Sequence, residues 1–195
     1  MGEETPQRRV RADAQRNIDA LLDTAKAVFA TAGVDAPVRE IAAKAGVGVG
    51  TVYRHFPQRS DLVVAVFQHE VDATAAAARE LAAEHAPGTA LALWLRRFTG
   101  FIATKRGLAA ALHSGDPAFS SLPAYFDAHL RPALESLLAA SAAAGEIRAN
   151  VDPNDLLYAI AQLCAGEAPQ PGHAQRMVNL LVDGLRYGAP TSTSV

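Results

Sequence analysis

Apolar positions along this chain recur every three or four residues, and no stretch alternates with the period of two that a half-buried strand shows, so the sequence predicts an all-α protein. A first helix is expected from an Asp13 N-cap through Ile18, Leu22, Ala25 and Phe29, with Gly33 ending it. Pro37 then stands where its fixed φ can start a second helix, in which Val38, Ile41, Ala42 and Ala45 share one side while Arg39, Glu40 and Lys44 stay in water. Gly46 stops that helix. A third, short helix places Val49, Val52 and Phe56 on one face and Gly50, Thr51, Arg54 and His55 on the other, with Tyr53 at the boundary. Phe29, Ile41, Val52 and Phe56 are expected to meet as the core of a three-helix unit.

Two short helices joined at a glycine form a helix-turn-helix, and the major groove of DNA admits one such helix. The outer face of the third helix suits that use, because it carries donors and almost no bulk, and Gly48 and Gly50 allow a close approach to a backbone. From the bare pattern alone, an ordinary helical hairpin reads equally well.

Beyond Pro57 the pattern predicts a helical body. A long alanine-rich helix is expected from about Arg59 to His85, ended by Pro87-Gly88, and a further helix carries Leu91, Leu95, Phe98 and Ile102 on one face. Asp116-Pro117 and Asp152-Pro153 read as cap-then-proline starts. Between them a helix from Pro123 to Ala144 contains Pro132, which frees the carbonyl of Ala128 and predicts a kink beside Tyr125, Phe126 and His129, where a cavity could open. The last two helices, Asp152 to about Gly166 and Gly172 to about Tyr187, are apolar on faces broader than one neighbour covers. Leu156, Ile160, Leu163, Met177, Leu180, Leu181 and Leu185 are therefore expected to bury against a second copy in a four-helix interface. The expected order is a flexible arm over residues 1–12 carrying Arg8, Arg9 and Arg11, a DNA-binding unit over 13–58, a helical body over 59–188 and a loose tail over 189–195.

Composition narrows the functional classes. With 195 residues, half of them hydrophobic, the chain can bury one or two modest cores. No run approaches the roughly 18 apolar residues of a membrane span, so a soluble, cytoplasmic protein is expected. Cys164 is the only cysteine, which excludes an internal disulfide and leaves a core thiol as the expected role. The formal charge is −2, so any nucleic-acid binding must depend on where the cations point. There is no P-loop, GxGxxG or GxSxG, and His113, Asp116 and His129 lack the spacing of a compact metal-ligand set. No catalytic, metal or cofactor site is expected.

Residues 15–67 resemble the DNA-binding domain of the tetracycline-repressor (TetR) family of bacterial transcription regulators. The resemblance rests on Ile18, Ala25, Phe29 and Gly33, on VREIAAKAGV and GTVYRHFP, and on Asp61-Leu62; downstream only the LLVDGLR segment from Leu180 to Arg186 adds to it. It implies that Val49, Gly50 and Tyr53 reach base edges, that Arg39 contacts base or backbone, and that Thr51, Arg54, His55 and Arg59 contact phosphate. Arg59 at a helix start opposes the helix dipole, which predicts an external anion against it. Val49 and Gly50 stand where longer polar side chains could stand, so direct readout should be thin and DNA shape important. The resemblance further implies a dimer on an inverted-repeat operator and a helical body that binds a small-molecule effector. Candidates for that lining are Trp94, Phe98, Phe101, Ile102, Leu112, His113, Phe119, Tyr125, Phe126 and His129. The expected function is a ligand-responsive repressor; a ligand-insensitive DNA-binding dimer or an activator is the alternative.

Overall fold

The computed structural model describes residues 6–165 and 172–187, all of whose regular elements are helical. They are α1 (Pro6–Ala32), α2 (Val38–Lys44), α3 (Val49–His55), α4 (Arg59–Glu84), α5 (Pro87–Gly107), α6 (Ala109–Leu112), a 3₁₀ turn (Pro117–Phe119), α7 (Leu122–Ala143), α8 (Pro153–Ala165) and α9 (His173–Arg186). Contacts divide the chain into two compact units, residues 1–69 with 107–121 and residues 70–106 with 122–195. The seam falls at 69/70 and not at the expected 58/59, because Leu62, Val63 and Val66 in the first turns of α4 are buried with the N-terminal unit. The expected tail over 189–195 lies outside the described residues.

In the first unit, Leu21, Leu22, Ala25, Val28 and Phe29 of α1 bury against Ile41 and Ala42 of α2, Val52 of α3 and the start of α4. Gly33 and Gly46, both at positive φ, end α1 and α2. After α2, Val47 N–H donates to the Ala42 carbonyl at 3.0 Å and Gly46 N–H to that of Ala43 at 3.2 Å, a Schellman closure that sets the turn into α3. Gly107 closes the unit from the other side: a Cβ there would lie 3.2 Å from Ala30 Cα and 3.3 Å from the Phe29 carbonyl.

Two expectations for this unit need correction. The arm is helical from Pro6, so position 13 lies inside α1 and not at its start; proline occupies the first helical position, and the following run of Arg, Gln and Ala favours helix without any apolar period to announce it. Phe56 is only half-buried and lies outside the core, because α3 ends at His55 and Phe56 leaves the helix at φ −130°, ψ 80°.

The second unit is held by Trp94, Leu95, Phe98, Phe101 and Ile102 of α5, Leu130, Leu134 and Leu137 of α7, Leu156 and Ile160 of α8, and Val178, Val182 and Leu185 of α9. Backbone donors and acceptors at the helix ends are tied across elements. Glu146 Oε2 accepts from Gly88 N–H at 2.6 Å, and Arg148 donates through its N–H to the Leu185 carbonyl at 3.0 Å and through Nη2 to that of Gly184 at 2.8 Å. Asp152 caps α8 as expected, its Oδ1 accepting from Asn154 and Asp155 N–H at 2.8 and 3.0 Å. Cys164 is a buried thiol, pushed above its ordinary pKa by that burial against the opposing pull of Arg106.

The expected subunit interface is corrected in part. Leu156, Ile160 and Leu185 are buried within the unit, because the α8 and α9 stripes that carry them pack inside a single chain. Leu180 and Leu163 remain outward at 66% and 38% exposure, and Met177 and Leu181 are half-buried. Tyr158 and Tyr187, missed in the sequence, are more exposed still.

Candidate nucleic-acid interface

The third helix is pinned by one side chain. Val52 is fully buried, and rotation about it leaves Val49, Gly50, Thr51, Tyr53, Arg54 and His55 exposed on the outer surface. An aromatic half exposed and a valine at 42% are costly to leave in water, and both lie on the same seven-residue helix. Gly48 precedes α3 in extended conformation, and Thr51 N–H donates to its carbonyl at 2.9 Å. A Cβ at Gly50 would meet nothing within 4 Å, and at Gly48 only Thr51 Oγ1 at 3.7 Å. Internal packing therefore does not require either glycine.

The charges around this surface are unequal in freedom. Lys44 is held by Glu40 at 2.8 Å, one helical turn away. Arg39 on α2 and Arg54 on α3 make no hydrogen bond or ion pair among the described residues, and both are exposed. Two unpaired guanidinium groups beside a protruding helix are what phosphate recognition needs.

Arg59 has partners inside the fold. Its Nη1 donates to the carbonyls of Val34, at very short range, and of Ala36, at 2.9 Å, in the α1–α2 connection. Internal carbonyls supply negative charge against Nη1 at the start of α4, and the residue is otherwise exposed. The same helix start is capped by Asp61, whose Oδ2 accepts from Gln58 N–H at 2.8 Å. Arg59 thus fixes how the α1–α2 connection meets α4 and acts as a positioning residue.

The expected effector lining is also redrawn. Leu112, His113 and Phe119 belong to the first unit, and the other seven residues to the second. Trp94, Phe98 and Phe101 stack in series with centroids 5.7 and 5.8 Å apart, Phe126 tilts against the last two, and Trp94 Nε1 donates to the Thr74 carbonyl at 2.8 Å. Trp94, Phe98, Phe101 and Ile102 are buried and Phe126 is half-buried beside them; helical spacing places aromatics on an inner face without recording whether space remains between them. Only His129 of the second-unit candidates borders a described cavity, a cleft of about 410 Å³ between α4 and α7 at Pro132, where the kink predicted one. Arg79 and Ser136, which also line it, were missed, although Arg79 is a lone cation at the end of the ATAAAA run. Tyr125 donates to Asp72 Oδ1 at 2.7 Å beside the cleft; burial first, and then that contact, raise its pKa to about 12.

Comparison with known proteins agrees with this architecture. Residues 21–66 match the family model described as bacterial regulatory proteins, tetR family, and residues 86–187 match that of the transcriptional regulator SbtR-like, C-terminal domain. A TetR transcriptional regulator of Streptomyces coelicolor is 36% identical, the match covering 86% of this chain and 97% of that one with a TM-score of 0.76. A TetR regulatory protein of Mycobacterium vanbaalenii is 39% identical over 91% of this chain and 99% of its own, with a TM-score of 0.70. An HTH-type transcriptional regulator of Staphylococcus aureus (strain USA300) is 38% identical over 64 residues, 32% of this chain and 35% of that protein. The match thus spans about a third of the length of the curated relatives. The chain belongs to the TetR family of DNA-binding transcription regulators. Its domains and fold are those of a regulator and not of an enzyme. Among the described residues no helix is long and apolar enough to cross a membrane.

Proposed function

We propose that this protein is a ligand-responsive repressor that binds an inverted-repeat operator as a homodimer in the cytoplasm. One observation carries the reading: among the described residues, the strongly exposed large apolar side chains lie in two places only. Val49 and Tyr53 lie on α3, and Tyr158, Leu163, Leu180 and Tyr187 lie on α8, on α9 and at its end. Each place calls for a partner, the first for a groove of DNA and the second for another copy of the chain.

In this reading Val49 meets a thymine methyl, Gly50 lets the helix approach, and Tyr53 and Arg39 supply hydrogen bonds to base edges or backbone. Thr51, Arg54 and His55 hold phosphates and set register. Leu163, Met177, Leu180 and Leu181, with Tyr158, form the contact between copies. The α4–α7 cleft supports a small-molecule response, in which the effector releases DNA only by its preference for one of two conformations; a tenfold loss needs about 1.4 kcal/mol of preference.

Selection of bound sequences from random duplexes, with light scattering on the same preparation, tests the reading. An inverted repeat and a dimer mass are expected, whereas a motif without dyad symmetry or a lone subunit would sink the homodimer. Deleting the gene should then raise transcription next to the selected operator; a fall would make the protein an activator.

A further inference from the structure

The cleft between α4 and α7 has a chemistry of its own. On α4 its wall is Ala75, Ala78 and Ala82 with Arg79, and on α7 it is Ala128, His129, Pro132, Ala133 and Ser136. Alanines facing alanines leave a narrow apolar slot, and its volume lies toward the lower end of the range for small-molecule sites, roughly 300–1,000 Å³. The lining contains one fixed cation and no acid. Arg79 makes no hydrogen bond or ion pair among the described residues, so its five donors remain available. Pro132 has no N–H to give the Ala128 carbonyl, which leaves an acceptor in the wall without its usual helical donor. His129 is already engaged: its Nδ1 donates to the Tyr125 carbonyl at 2.8 Å, and its Nε2 lies 4.0 Å from Asp72 Oδ1.

We propose that this cleft binds an amphipathic monocarboxylate with a single N–H or O–H donor on its apolar body. The carboxylate pairs with the Arg79 fork, the donor meets the Ala128 carbonyl and the apolar body lies between the alanines. A guanidinium matches a carboxylate in two parallel hydrogen bonds, and an acceptor freed by proline selects against ligands that lack a donor. The inference names an effector class for the ligand response proposed above and rests on that reading only for its regulatory consequence.

Calorimetry on the full chain with three probes separates these features. Indole-3-carboxylate has both groups, indole-3-carboxamide lacks the charge, and naphthalene-1-carboxylate lacks the donor. Indole-3-carboxylate should bind at least roughly tenfold more tightly than either. Arg79→Gln should remove the preference for acid over amide. Pro132→Ala, which returns an N–H to the Ala128 carbonyl, should remove the preference for indole over naphthalene while leaving the acid preference in place. Ala133→Trp, checked for fold by circular dichroism, should abolish binding of all three. Absence of heat with either acid at millimolar concentration overturns the site, as does equal affinity for acid and amide or an Arg79→Gln protein indistinguishable from the parent. Anisotropy on a selected operator duplex supplies the second readout. A probe that binds in the cleft and leaves DNA affinity unchanged sinks the effector role alone, and intact DNA binding without probe binding sinks the cleft alone.

Discussion

At position 50 an alanine would fit the fold, since its Cβ meets nothing within 4 Å and the backbone is ordinary helix. Gly50→Ala should therefore stabilise the protein by up to about 1 kcal/mol in chemical denaturation, by helix propensity alone. The same change should weaken binding to a selected duplex several-fold, because in the reading proposed above the added methyl stands where the DNA backbone comes close. Undiminished binding would show that the glycine serves neither partner. Arg54 and Val49 divide differently: Arg54→Ala should weaken binding to every duplex and flatten its dependence on salt, while Val49→Ala should mainly blur the preference for operator over random DNA. Equal losses on both duplexes for both variants would refute that division. Tyr125 offers a test by pH. Its folded pKa is raised to about 12 from the ordinary 10.0, so the fold prefers the protonated phenol. That preference is fully present below pH 10 and is lost as pH rises through about 12. Tyr125→Phe should remove a phenolate absorbance phase centred near pH 12.

Among the elements, α5 depends on a residue far from it in sequence. Glu146 follows the Gly145 turn that closes α7, where Gly145 N–H donates to the Ala142 carbonyl and Glu146 N–H to that of Ser141, and its carboxylate then receives the buried Gly88 N–H at the start of α5. Glu146→Ala should cost about 2 kcal/mol by leaving that donor unpaired, and Glu146→Gln less, as read from denaturation midpoints. No local pattern announces such a contact, and this marks the limit of what the sequence disclosed. The helix-turn-helix was legible because Ile41, Val52 and the glycines obey rules confined to a few residues. The α7 cleft was legible for the same reason, through Pro132. The helical start at Pro6 was not, since a polar helix has no apolar stripe, and neither was the engagement of Arg59, whose carbonyl partners lie 25 and 23 positions back in the chain. Aromatic spacing located the core of the second unit but could not tell a filled core from a lined cavity.

For the whole molecule, affinity for an operator should depend on a surface that touches no DNA. A single α3 buries little, and two half-sites bound together gain over one by making the second event intramolecular, by roughly 10²–10⁴. Leu180 is the place to test this, because at 66% exposure it supports its own chain very little, whereas a lysine there would place a desolvated charge in any contact between two copies. Leu180→Lys should thus leave the melting behaviour of the isolated subunit intact, halve the mass seen by light scattering, and lower affinity for the full inverted repeat while leaving affinity for a single half-site unchanged. Half-sites should lie one helical turn apart, roughly 34–36 Å, or a multiple of it, and inserting half a turn of DNA between them should reproduce the loss in the parent protein. A Leu180→Lys protein that still scatters as a dimer would move the interface off α9. One that scatters as a monomer yet binds the full repeat as tightly as the parent would instead show that each α3 reads DNA without its twin.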